Sequence, residues 1–314
     1  ITDTLLFWGK SFEDINDDEQ LIVNLEEKIY KLLDTTLRSS ECSGVFCVLD
    51  ATCNTGVPQA EDSRMGLYLR YSDLSGVNTV NTHVAYFRGS PEVARKENVP
   101  MHNRWNLEFD TGILPGYEKM MNTSATKMAD HCLWTERVNL KDNCEDVTLM
   151  CVPILDGNGT VRGICGIELS DLYFQLSYPA SDSAYGCMTA VFASMEDNVL
   201  NLDKAMIGET RDDFLNAAGS LVVNEGKYYN TYKSDSEDYV GLHRYLMTHT
   251  VDGKQMVVVT LLSKDGFQDA ISRERRVWIM ISLVFLVIML AVSWFMSRHF
   301  MIPISRLSEA IREE

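Results

Sequence analysis

Apolar residues first recur at helical spacing within residues 18–37, where Leu21, Ile22, Leu25, Ile29, Leu32 and Leu33 share one stripe. The spacing predicts a long amphipathic helix, and Asn16, Asp17 and Asp18 ahead of it supply an N-cap and favourable charge for its dipole. The pattern then changes to short apolar runs. Residues 44–56 open with "GVFCVL" and end in a polar, Gly-containing loop, which reads as one buried strand; "MGLYLRY" (65–71) and "HVAYFRG" (83–89) read as two more. Residues 91–145 are mixed, with a helix expected over 117–130. A long insertion of this kind inside a compact domain reads as a binding loop.

Two apolar arms, 147–155 and 161–169, then flank the turn "DGNG". Cys151 and Cys165 each lie seven residues from Asn158. A symmetric hairpin sets them opposite one another, in reach of a cross-strand contact or a disulfide. A second unit follows, with strands expected at 188–193, 199–202, 220–223, 228–232 and 241–250 and a helix near 212–218. Its last run, "QMVVVTLL" (255–262), repeats the turn-then-strand logic of the first hairpin. Two α/β modules, each closing on an apolar strand after a hairpin, are the organisation this implies.

Residues 277–296, "VWIMISLVFLVIMLAVSWFM", run 20 residues without a charge or a proline, long enough to cross a bilayer as a helix, with Trp278 and Trp294 near the two interfaces. A helix over 264–276 is expected to enter this span directly, because no Gly or Pro follows Gly266 until Pro303. Arg273, Arg275 and Arg276 precede the span and Arg298, Arg306 and Arg312 follow it, so the positive-inside count is near a tie.

With 46% hydrophobic residues the chain is a folded protein, and a net charge of −17 without a basic patch excludes a nucleic-acid-binding surface in this segment. All eight cysteines precede the span, which suits an oxidising exterior, and none forms a C-x-x-C pair. The six histidines lack metal-ligand spacing. The start at Ile1 reads as a fragment that another transmembrane helix precedes.

In "VPILDGNGTVRGICGIELS" (152–170), Val152, Pro153, Asp156, Gly159, Gly163, Gly166 and Glu168 stand at the places that mark the final hairpin of a Cache domain, the PAS-like extracellular sensor module of bacterial receptors. The order of elements over roughly residues 11–276 resembles a double Cache ectodomain. "MIPISRLSEAIREE" (301–314) resembles the opening helix of a HAMP linker, with Pro303, Leu307 and Ile311 at helical spacing. The resemblance implies an α/β (α+β) fold with a long N-terminal helix, two PAS-like antiparallel-sheet modules and one transmembrane helix. The expected segments are the N-terminal helix (1–40), a membrane-distal module (41–180), a membrane-proximal module (181–263), a connecting helix (264–276), the transmembrane helix (277–297) and the start of HAMP (298–314).

By the same resemblance the chain is the small-molecule-sensing ectodomain of a homodimeric bacterial receptor in the plasma membrane, with its C-terminus in the cytoplasm. It would signal through HAMP to an output domain beyond this sequence. A sensor histidine kinase is the first expectation, ahead of a chemoreceptor, a diguanylate cyclase or a membrane-tethered transcription regulator. A membrane-anchored extracellular enzyme and an adhesion ectodomain are the competing readings.

The family binds its ligands in the distal module, between the sheet and the loop that covers it. The candidates here are Tyr68, Arg70, Tyr86, Arg88, Arg104, Trp105, Glu108, Asp110 and Trp134: guanidinium forks for carboxylates, aromatics for rings or a cation, carboxylates for an ammonium. The amino-acid-sensing variant has Arg, one residue, then Trp-Tyr, and an Asp some way after Trp-Thr. Here Arg104 and Trp105 are adjacent, Asn106 follows, and Leu140 stands at the Asp position after Trp134 and Thr135, so that motif is incomplete. Glu108 and Asp110 share a strand face, but no nucleophile or partner base stands near them in sequence, and the segment is not expected to be an enzyme. Neither a cofactor nor a metal is expected. Cys132 with Cys144, or Cys42 with Cys47 or Cys53, are further candidate disulfides, with buried free thiols as the alternative.

Overall fold

In the computed structural model, which describes residues 2–74, 83–123, 131–140, 145–208, 219–234, 237–246, 250–251 and 253–312, Asp18 caps the helix that the apolar stripe predicts. Its Oδ1 accepts from Leu21 N at 3.0 Å. After a short helix α1 (Thr2–Phe7), this helix, α2 (Glu19–Ser39), buries Leu21, Ile22, Leu25, Ile29, Leu33 and Leu37 on one face. Each such side chain contributes about 1.5–3 kcal/mol when fully removed from water.

The strands that follow are β1 (Gly44–Leu49), β2 (Ser63–Arg64), β3 (Gly66–Tyr71) and β4 (Val84–Arg88). The insertion carries α3 (Pro91–Lys96), β5 (Met101–Asn106), β6 (Phe109–Asp110), α4 (Tyr117–Met121), β7 (Leu133–Trp134) and β8 (Val138–Asn139). The hairpin is β9 (Asp146–Leu155) and β10 (Val161–Ser170). These make an eight-stranded sheet in the order β5-β4-β3-β1-β10-β9-β7, with β8 also on β9. The pairs are antiparallel except β4–β5, and β2 pairs separately with β6. Of the helix expected over 117–130, α4 is the described part and residues 124–130 lie outside the described residues.

After α5 (Asp171–Ser177), a second sheet holds β11 (Ser181–Ser183), β12 (Gly186–Glu196), β13 (Val199–Ile207), β14 (Ser220–Asn224), β15 (Asn230–Lys233), β16 (Asp238–Tyr245) and β17 (Gln255–Ser263) in sequence order. β17 also pairs with β12, so the sheet closes on its own core of Val191, Leu200, Tyr232 and Val259. A separate cluster, with Trp134 from the first sheet, Phe174 from α5 and Phe192 and Met206 from the second sheet, packs the two sheets together. The helix expected near 212–218 lies outside the described residues.

The chain divides into two compact units: Ile1–Ser181 with Met188–Leu261, which holds the first sheet and most of the second, and Asp182–Cys187 with Leu262–Glu314, which takes in most of β11 and the ends of β12 and β17. In the second unit α6 (Lys264–Met296) is one uninterrupted helix of 33 residues. It is the one helix among the described residues long and apolar enough to cross a membrane, with a mean hydropathy of 2.7 in its most apolar window. Pro303 has no N–H to give, and just before it the ladder widens: Ile302 N donates to Ser297 O in a π-helical turn, Ser297–Met301, before α7 (Ile302–Arg312).

The hairpin differs from the symmetric one in a way that matters for its cysteines. Leu155 pairs with Val161, but a bulge at Arg162 then advances the register by one, so Gly163 pairs with Ile154, Gly166 with Cys151 and Cys165 with Val152. Side chains alternate along a strand, so the one-residue shift sends Cys151 and Cys165 to opposite faces. Cys151 joins the core that holds Phe46, and Cys165 packs against the core that holds α2. A disulfide between them is therefore corrected to two free thiols. Cys42, Cys47 and Cys53 are also free thiols, and the Cys132–Cys144 pairing involves Cys144, which lies outside the described residues. Gly163 (φ +154°) and Gly166 make the tight packing of the hairpin possible, because a Cβ at Gly166 would lie 1.8 Å from Met150 O.

Candidate ligand-binding site

Each face of the first sheet is covered. α2 lies on one side. On the other, Phe46, Tyr68, Phe87 and Leu149 face the segment that brings Phe109, Leu114, Tyr117 and Met120. Tyr68 is at the centre of an aromatic group, with ring centroids 5.5 Å from Phe87, 6.2 Å from Phe109 and 6.4 Å from Phe46.

A bulge in β4 equips this face with a cation. Strict alternation would place Arg88 beside Tyr86 on the α2 side, but Tyr68 pairs with Arg88 and Leu69 with Tyr86, leaving Phe87 as the extra residue. Arg88 thus lines the same hollow as Tyr68, although it is 93% buried. Its Nη1 donates to Phe87 O at 2.8 Å and Arg104 O at 3.2 Å. Those bonds fix the guanidinium at the rim.

The hollow, of ≈ 40 Å³, is walled by Phe46, Tyr68, Phe109, Leu114, Leu140 and Leu149. It shares Arg88, Phe109, Asp110 and Ile113 with a more open cleft of ≈ 550 Å³, whose further walls include Gln59, Ser63, Asn106 and Glu108. The first space suits little more than a methyl group or a water, while the second has the size of a small-molecule site. Together they offer an apolar end and a polar mouth.

Of the nine residues singled out in the sequence, Tyr68, Arg88, Glu108 and Asp110 line these two spaces. The other five have different surroundings. Arg70 is buried away from the cleft, with Nε 2.7 Å from Glu168 Oε1 and Nη2 2.8 Å from Glu145 Oε1. Tyr86 is fully buried in the core under α2. Arg104 is exposed on β5, and Trp105 packs against the α2 core with Nε1 donating to Gly89 O at 3.0 Å. Trp134 lies between the two sheets, 5.1 Å from Phe192. Phe46, Phe109, Ile113, Leu114 and Leu149 line the hollow without having been singled out. Alternation in "GVFCVL" puts Phe46 on one face, but nothing in "FDTGILPG" says that its apolar residues fold back over that face.

Two carboxyls of the first module, Glu26 and Glu168, are fully buried. Glu26, on α2, accepts from Ser90 N at 2.6 Å, and its pKa is raised to about 8 by burial, with the Glu108 charge adding to the rise. Glu108 accepts from Cys53 N at 2.6 Å and from the Thr52 and Ser63 hydroxyls. These bonds hold the loop after β1 to the cleft wall. Burial likewise pushes the Glu168 carboxyl up, opposed by the Ser43 hydroxyl 2.7 Å away. Among the described residues no three His, Cys, Asp or Glu side chains converge as a metal site.

No family model matches this chain, and no curated protein matches it. Among solved structures it is similar to the ligand-binding domain of the Pseudomonas fluorescens chemoreceptor CtaA in complex with L-alanine, at 12% identity over 80% of this chain and 83% of that one, TM-score 0.37. It is also similar to the ligand-binding domain of the Pseudomonas aeruginosa PAO1 amino acid chemoreceptor PctB with L-arginine (13% identity, 76% and 79% covered, TM-score 0.38). A third is the sensory domain of the Campylobacter jejuni chemoreceptor Tlp3 (12% identity, 82% and 80% covered, TM-score 0.37).

Proposed function

We propose that this chain is the small-molecule-sensing part of a membrane-anchored receptor, and that its ligand sits in the cleft lined by Tyr68, Arg88, Phe109 and Asp110. The observation that carries this reading is the bulge in β4, which turns a buried, backbone-anchored guanidinium onto an aromatic hollow that opens into a space of ≈ 550 Å³. A fixed guanidinium at the mouth of an apolar hollow suits a small anion, such as a carboxylate with a short apolar substituent. Leu140 in the hollow supplies no countercharge for an ammonium at that wall, which leaves Asp110 and Glu108 for that part.

In this reading the first sheet and its insertion (41–180) form the distal module and the second sheet (181–263) the proximal one. β17 is followed in sequence directly by α6; the chain crosses the membrane over 277–297, and residues 298–314 begin a HAMP linker. The two sheets lie outside the cell and the C-terminus inside, in a homodimer whose occupancy biases one of two arrangements; the ligand must bind those arrangements unequally. A histidine kinase or a chemoreceptor signalling domain is the output such a chain would drive. A melting-temperature screen of the chain in detergent micelles against carboxylic acids, amino acids and amines tests the reading. It expects a stabilising acid, and a screen in which none of these classes raises the melting temperature counts against it.

A further inference from the structure

A second cleft, of ≈ 420 Å³, is lined from the first sheet by Trp134, Glu136 and Arg137, from α4 by Lys119, and from the second sheet by Lys204 and Lys254. It does not include any residue of the Tyr68–Arg88 cleft. Lys119, Lys204 and Lys254 line it together with the carboxylate of Glu136. Arg137 is balanced by Asp146 and Asp171.

Glu136 is a bridge. Its Oε2 accepts from Lys204 Nζ and its Oε1 from Lys254 Nζ, each at 2.6 Å, so one carboxylate on the first sheet gathers two ammonium groups of the second. Those two bonds are also what hold its pKa down at about 2, so it remains ionised at every physiological pH. The same cleft has a buried donor that is unmet. Trp134 is 93% buried, and its Nε1–H has no acceptor among the described residues; the unmet Arg137 Nε–H, by contrast, belongs to a guanidinium paired with Asp171, whose Oδ1 is itself an unmet acceptor. A buried donor is costly to leave without an acceptor, so Trp134 Nε1–H in a cleft lined by lysines marks a place for an acceptor from outside the chain.

We infer that this cleft binds a small polyvalent oxyanion, a di- or tricarboxylate or a phosphate, that accepts from Trp134 Nε1–H and takes Lys204 and Lys254 over from Glu136. Binding there replaces the direct tie between the two sheets with one that passes through the anion. Glu136 is then a built-in competitor, which gives the site a signature that nonspecific attraction to lysines lacks. Removing the competing charge tightens binding, although it removes two ion pairs.

The test is calorimetric titration of the chain in detergent micelles with citrate and, separately, with inorganic phosphate at constant ionic strength. Saturable binding of one or both is expected at millimolar or lower concentration, and the tighter of the two assigns the site to carboxylates or to phosphates. Glu136→Gln is expected to bind more tightly. Lys204→Met with Lys254→Met, and separately Trp134→Phe, are expected to weaken binding at least about tenfold, the loss of a charge-assisted or buried hydrogen bond. Absence of saturable binding for both anions overturns the inference. So does binding that Glu136→Gln weakens, or that the double lysine variant leaves unchanged.

Discussion

Arg70 and Glu168 form a buried ion pair across two strands of the first sheet, with Arg70 Nε 2.7 Å from Glu168 Oε1 and the two side chains 7% and 0% exposed. Glu145 Oε1 takes the Nη2 end of the same guanidinium at 2.8 Å, and Ser43 donates to Glu168. Removing the guanidinium leaves the buried Glu168 carboxyl and Glu145 without their shared donor. Arg70→Met is expected to cost about 3–5 kcal/mol, whereas Arg104→Met on exposed β5 should stay within about 0.5 kcal/mol. Melting curves of the two variants check this. A large loss for Arg104 or none for Arg70 would contradict the assignment of Arg70 to structure and not to ligand.

Glu26 makes stability depend on pH. Its carboxyl, raised to about 8 in the fold, holds a proton that the unfolded chain has released above about 4.5. Between those values the native state binds more protons, so the contribution is complete below the lower value and is lost as pH rises towards 8. Its size is on the order of 5 kcal/mol. Glu26→Gln keeps a neutral acceptor for Ser90 N and should remove this dependence. Melting temperatures of wild type and variant from pH 5 to pH 8.5 should therefore diverge as pH rises, with the variant the more stable at the upper end; parallel curves would refute the prediction.

The cysteines give a register test. Asp50 N donates to Arg162 O and Tyr71 N to Ser43 O, which makes Cys47 and Cys165 a non-hydrogen-bonded cross-strand pair, the closely spaced kind. Mild oxidation followed by peptide mapping should yield a Cys47–Cys165 link and no Cys151–Cys165 link. The reverse result would mean that the bulge at Arg162 is absent.

Gly166→Ala is expected to destabilise by about 1–3 kcal/mol, because its Cβ meets Met150 O and the two arms must part. Gly157→Ala, in the turn, meets nothing within 4 Å and should be near neutral. Denaturant midpoints of the two variants compare them directly.

Periodicity made α2 legible, because a 21-residue helix repeats its apolar stripe often enough to be read and Asp18 marks its start. The uncharged run inside α6 was equally plain. The candidate site was legible only in part, and the reason is local. Bulges at Phe87 and Arg162 each break the two-residue alternation. The first brings Arg88 to the cleft, and the second separates Cys151 from Cys165. Neither bulge has a signature in a single sequence, since Arg88 and Arg70 look alike on a strand until register decides which meets a cavity and which meets Glu168. Trp134 next to Thr135 read as part of a ligand motif, but β7 is only two residues long and directs that ring into the contact between the sheets.

Ligand binding at the bulged end of β4 is the step on which the proposed function turns. Its most direct measurement is calorimetric titration of the best acid from the melting screen into wild type, Arg88→Ala and Arg104→Ala. Arg88→Ala is expected to lose at least about tenfold in affinity, the share of a charge-assisted bond, while Arg104→Ala binds as wild type does. Undiminished binding by Arg88→Ala, or a loss confined to Arg104→Ala, would contradict it.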